Sequence, residues 1–74
     1  MTHLLDASGL SCPLPVLRAR KRLKEIAGGE VLEVITTDPA AVQDFLSFCE
    51  ATGHVLVTWQ ETDGVFAFRI RKTG

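Results

Sequence analysis

Helix and strand breakers recur along this chain at short intervals, and no other feature limits its fold so strongly. Ser8-Gly9, Pro13 and Pro15, Gly28-Gly29, Asp38-Pro39, Gly53 and Asp63-Gly64 leave six segments, each with room for one element. His3 to Ala7 reads as a short strand. Pro13 and Pro15 are tolerated only at a helix start, so a helix is expected from about Pro13 to Ile26, stopped by Gly28-Gly29. Its buried stripe is Val16, Ala19, Leu23 and Ile26. Residues 30–36 are rich in β-branched types and form the second strand. Asp38 offers an N-cap side chain and Pro39 a pre-set first turn, so a second helix is expected from there to Thr52-Gly53, burying Val42, Phe45, Leu46 and Cys49. His54 to Glu61 alternates, with Val55, Val57 and Trp59 on one side. Asp63-Gly64 is a hairpin signal, and Val65 to Arg71 returns as a fourth strand.

The order βαβαββ fixes the fold class. A β-α-β unit joins parallel strands by a right-handed crossover, so both helices lie on one sheet face and the hairpin adds an antiparallel strand. The expectation is an α/β (α+β) two-layer sandwich: a mixed four-stranded sheet with two helices on one face. The other face is open, which makes some of Val31, Ile35, Val57, Trp59, Phe66 and Phe68 candidates for partial exposure. At 74 residues this is one domain, 1–74, whose core supplies roughly 3–5 kcal/mol.

Composition removes several classes. With 46% hydrophobic residues and a net charge of −1 the chain is not disordered, and two cysteines cannot staple a disulfide-dense scaffold. No signal-like start and no apolar run of about 20 residues occurs, so a cytoplasmic protein with reduced thiols and no membrane contact is expected. The charge balance disfavours a dedicated nucleic-acid binder. Five of the eight basic residues nevertheless fall between Arg18 and Lys24, which predicts a local positive surface.

Cys12 lies where the first turn meets the first helix. Unpaired N–H groups and the macrodipole there favour negative charge, so a stabilised, reactive thiolate is expected. Pro13 and Pro15 fix the helix start beside the sulfur, and Gly9 with its neighbouring serines keeps the approach uncrowded. Position 15 is proline, so there is no C-x-x-C pair. Cys49 falls on the apolar stripe of the second helix and reads as core filler. His3 and His54 are the sole candidate bases for a Cys-His hydrolase. Cys12, Cys49, His3 and His54 show no tight ligand spacing, so neither a metal nor a cofactor is expected. What remains is an exposed nucleophile that passes something to a partner. Leu14 and Leu17 point away from the buried stripe with Arg20, Lys21 and Lys24 nearby, which reads as a docking surface for an acidic protein partner.

Leu5-Asp6-Ala7, Gly9-Leu10, the Cys12-Pro13-Leu14-Pro15 tetrad, Thr37-Asp38-Pro39-Ala40, Phe48-Cys49, Gly53-His54 and Ile70-Arg71-Lys72 together resemble the TusA (SirA-like) sulfur-carrier family over nearly the whole chain. The resemblance implies sulfane sulfur held as a persulfide on Cys12. The donor would be a cysteine desulfurase or a rhodanese-type protein, and the recipient a downstream thiol-bearing acceptor. Relatives serve tRNA 2-thiouridine formation, molybdenum-cofactor metabolism or sulfur oxidation. Position 14, often acidic in the tRNA-thiolation members, is leucine here. Arg20 and Lys24 match the face by which such carriers dock on the desulfurase. The implied state is a monomer with transient complexes. On the residues alone, a small RNA- or protein-binding module with a basic helix and a non-catalytic thiol stays open.

Overall fold

Local rules place each element, and tertiary packing trims its ends. The computed structural model describes residues 2–73 in the order β1 (Thr2–Asp6), α1 (Leu14–Leu23), β2 (Val31–Thr36), α2 (Ala41–Thr52), β3 (Val55–Thr62) and β4 (Val65–Arg71). α1 is shorter than the sequence suggests. Pro13 is its N-cap, and the chain after Leu23 tightens through bonds from Lys24 N to Lys21 O and from Glu25 N to Arg22 O. Ile26 is still buried. α2 begins at Ala41 rather than at Asp38-Pro39. The Asp38 carboxylate accepts the Ala40 N–H at 3.0 Å and its carbonyl accepts the Ala41 N–H, which closes a turn before the helix instead of capping it. Gly53 ends α2 in the left-handed region at φ +82°, donating its N–H to Cys49 O.

The sheet order is β1-β2-β4-β3. β1 runs parallel to β2, and β4 pairs antiparallel with both β2 and β3. At the hairpin, Asp63 and Gly64 both have positive φ, the signature of a type I′ turn. β2 alternates half-buried and fully buried residues, so Leu32, Val34 and Thr36 face the helices. The buried Thr36 hydroxyl is satisfied by the Asp38 N–H at 3.3 Å. With Ala19, Leu23, Phe45, Phe68 and Ile70 these residues make the core, in which the Phe45 and Phe68 rings lie 4.7 Å apart.

Two expectations are corrected. Leu46 is 43% exposed, because the two-helix layer leaves that flank of α2 uncovered while Phe45, one residue earlier, takes the core position. Val55, Val57 and Trp59 do not share a face, because the register shifts between Leu56 and Thr58. Val55 then sits opposite Arg71, whereas Trp59 sits opposite the buried Phe68 and stacks on it. Of the residues considered for partial exposure, Phe68 is fully buried, Val31, Ile35 and Phe66 are half-buried, and Val57 and Trp59 are exposed. Among the described residues no helix is long and apolar enough to cross a membrane.

Phe45→Ala is expected to remove about 3–5 kcal/mol, comparable to the whole stability of so small a core, and Leu46→Ala less than about 0.5. Urea unfolding followed by circular dichroism compares them. Equal losses would contradict the burial described here.

Candidate functional site around Cys12

Parallel neighbours end at the same edge of a sheet, so the loop after β1 lies beside the loop after β2. Three bonds tie the first loop to β2 and the loop after it: Ala7 N to Ile35 O at 2.7 Å, Gly9 N to the Thr37 Oγ1 at 3.0 Å, and Cys12 N to Asp38 Oδ2 at 2.7 Å. The other Asp38 oxygen accepts the Ala40 N–H, so one carboxylate connects the cysteine loop to the start of α2. Gly9, at φ +78°, lets the first loop turn back without a Cβ in the strained region. Bonds from the Ser8 hydroxyl and N–H hold the Asp6 carboxyl below its ordinary pKa.

Cys12 is exposed and stands one residue before the N-cap of α1. Its thiol is pushed up from its ordinary pKa, first by a hydrogen bond to the Asp44 carboxylate, then by partial desolvation and by the charges of Asp44 and Asp38. The expected thiolate stabilisation is therefore corrected. Pro13 and Pro15 have no N–H, and Leu14 gives its own to Ser11 O at 2.9 Å, so this helix start offers few donors to an anion. The first turn of α2 meanwhile aims Asp44 at the sulfur. Sequence alone gives Asp44 no role, Thr37 a place in a family motif only, and Asp38 that place and a helix cap, so their contacts with the Cys12 loop are findings of the structure.

The remaining candidates separate into two groups. Pro13, Pro15 and Gly9 frame the Cys12 loop, and Leu14 and Leu17 lie exposed beside it at 41% and 50%. Arg20, Lys21 and Lys24 are exposed, and among the described residues none of the three forms an ion pair, whereas Arg22 pairs with Glu25 at 3.2 Å. Arg20 and Lys24 line a cleft at the far end of α1, which Lys21 does not enter. Cys49 is buried in the core, where desolvation pushes its thiol up. His3 pairs with Glu30 at 3.1 Å near the start of β1, and the His54 ring lies 5.9 Å from that of Phe48. Both sit at the sheet end opposite Cys12, so no Cys-His pair is assembled.

In a Cys49→Ala background, iodoacetamide is expected to alkylate Cys12 with a pH midpoint above that of free cysteine. Asp44→Asn is expected to lower the midpoint and speed alkylation at neutral pH, because loss of a neighbouring negative charge favours the thiolate. A wild-type midpoint below that of free cysteine would contradict the geometry. Both thiols have folded pKa values above their unfolded ones, so their contribution to stability is complete below about pH 8.5 and is lost as pH rises through the folded values. Denaturant midpoints measured across that range check the decline.

Comparison with known proteins adds an independent line. The family model described as Sulfurtransferase TusA matches residues 3–72. The chain is 52% identical over 69 residues to the sulfur carrier protein TusA of Allochromatium vinosum, covering 93% of this chain and 91% of that one. It is 47% identical over 68 residues to the TusA of Pseudomonas entomophila, covering 92% and 85%. Among solved structures, the SirA-like protein of Desulfitobacterium hafniense superposes with a TM-score of 0.84 at 30% identity, over the full length of both chains. A family match spanning nearly every residue, on the mixed four-stranded fold with two helices described above, means that the chain belongs to the TusA family.

Proposed function

We propose that this protein is a sulfur carrier that holds sulfane sulfur as a persulfide on Cys12 and relays it between two partners. The observation that carries this reading is an exposed thiol on a loop fixed by backbone bonds, with no histidine base beside it. Such a thiol is poorly equipped to catalyse alone and well placed to enter another protein's active site.

The transfer conserves electrons and atoms. The Cys12 sulfur attacks the terminal sulfur of a donor persulfide. A new S–S bond forms at Cys12 as the donor's S–S bond breaks, and the donor cysteine leaves as a thiolate that takes up the proton released by Cys12. Relay to an acceptor thiol repeats the exchange with the roles reversed. The carboxylates at Cys12 suit the empty carrier, because a protonated thiol reacts slowly with stray electrophiles. A persulfide is more acidic than its parent thiol, and its outer sulfur reaches one bond further from Asp44 toward solvent. Pro13, Pro15 and Gly9 hold the loop, and Leu14, Leu17, Arg20, Lys21 and Lys24 form the docking face. The donor is a cysteine desulfurase or a rhodanese-type protein and the acceptor a thiol-bearing protein, met in the cytoplasm by a monomer through transient complexes. The pathway served is tRNA thiolation, molybdenum-cofactor metabolism or sulfur oxidation, without direct nucleic-acid contact.

Intact-protein mass spectrometry after incubation with a cysteine desulfurase and cysteine, or a rhodanese with thiosulfate, tests this. A gain of one sulfur reversible by dithiothreitol is expected in the wild type and in Cys49→Ser, and none in Cys12→Ser. An adduct that persists in Cys12→Ser, or none in any form with either donor, would overturn the proposal.

A further inference from the structure

β3 is an edge of the sheet, hydrogen-bonded to β4 on one side only. On its other side the backbone N–H and C=O groups have no strand partner, which makes them a template for pairing, and such edges are normally blunted by lysine, proline or a bulge. This eight-residue strand has neither lysine nor proline, and its irregularity lies near one end, between Leu56 and Thr58. Residues 58–62 beyond it pair regularly with β4 and are all exposed.

The flank above this edge is apolar. Trp59 lies opposite the buried Phe68, on the helix side of the sheet, with Phe68 at 6.0 Å and Phe66 at 6.4 Å, yet it stays 41% exposed. α2 contacts both α1 and β3, so it is the outer helix of the layer. Its inner flank turns Phe48 toward Leu23 of α1. Leu46, about 160° around the helix from Phe48, lies on the outer flank, and Val42 and Glu50 share that flank one turn to either side.

The charge here is of one sign. α2 and β3 contain Asp44, Glu50 and Glu61 and no lysine or arginine. Asp44 is turned toward Cys12. Glu50 and Glu61 are exposed and form no ion pair among the described residues, although one Glu61 oxygen accepts the Gly64 N–H at 2.7 Å. A second copy of this chain on the edge would set like charges against each other, whereas a basic segment complements them.

We infer that the free edge of β3 takes up an extended, basic segment of a protein partner as a fifth strand. Its backbone pairs with residues 58–62, an aromatic or branched side chain packs on Trp59 and Leu46, and lysine or arginine two positions away meets Glu50 and Glu61. The residues between these are polar and lie beside Thr58, Gln60 and Thr62 on the other sheet face. This goes beyond the carrier reading and does not rest on it. The edge differs from the basic face of α1 in place and in sign of charge, so it selects a different segment.

Trp59 is the only tryptophan of the chain, so its emission reports on the edge directly. The test titrates the whole protein with a capped hexapeptide that alternates lysine, phenylalanine and lysine with threonines, followed by Trp59 fluorescence and amide-resolved NMR. Saturable shifts are expected at residues 58–62 and Leu46, with the emission moving to shorter wavelength. Two further peptides are N-methylated at the odd or at the even residues. One is expected to bind like the parent and the other not at all, since alternate N–H groups of a strand point to opposite edges. Exchanging the lysines for glutamates is expected to abolish binding, and Leu46→Lys with Glu50→Lys to weaken it at least about tenfold, whereas Glu25→Gln leaves it unchanged. Peptide uptake needs no sulfur on Cys12, so the edge and the carrier reading fail separately. Absent or unsaturable shifts, shifts centred on α1, equal binding of both N-methylated forms or of the glutamate form, or unchanged affinity in the double variant would each overturn the inference. So would a concentration-dependent change of Trp59 emission in the protein alone, which marks a second copy on the edge.

Discussion

The Asp38 carboxylate is the point on which the functional end of this molecule depends. It accepts a hydrogen bond from Cys12 across 26 positions of sequence and another from Ala40 just before α2. Removing it would leave two backbone N–H groups without their partner and leave the cysteine loop held to that edge by the Ala7–Ile35 and Gly9–Thr37 bonds alone of the three. The parallel pairing of β1 with β2 makes the bridge possible, because it ends both strands at one edge and sends both following loops the same way. The small core buries the inner faces of these strands and thereby holds the two loops in register.

At Cys12 two electrostatic influences oppose each other. A helix start normally favours an anion through its free N–H groups, but the prolines that give α1 a sharp beginning also remove the donors that would express that effect. The Asp44 carboxylate, together with partial desolvation and the charge of Asp38, pushes the thiol up from its ordinary pKa. The empty carrier is thus a protected thiol. On the proposed reading, positive charge brought to that edge by a partner raises its reactivity.

Much of this was legible in the sequence because the rules involved are local. Gly53 ending α2, Asp63-Gly64 closing the hairpin and the two prolines opening α1 each act within a few residues. The fold class followed from their order. What stayed hidden depends on partners distant in sequence. Leu46 carries the same apolar signal as Phe45, and only the position of the uncovered helix flank separates them. The irregularity near Val57 breaks an alternation that reads as continuous in the sequence. Cys12 and Pro15 were visible as a site, but the charge on the sulfur is decided by Asp44, which reads in sequence as an ordinary polar residue of α2.

The proposed chemistry lies at the N-terminal end of α1, and a basic cleft lies at the other. A carrier has to deliver its cargo as well as accept it, and release is the half that an exposed, fixed loop makes possible. The most direct measurement is therefore a discharge experiment. The protein is loaded with ³⁵S from labelled cysteine, separated from its donor and mixed with cyanide, which takes sulfane sulfur as thiocyanate. The account predicts that one labelled sulfur per chain leaves from Cys12 and that the discharged protein can be loaded again. Label retained on the chain, or released from Cys49 instead, would contradict it.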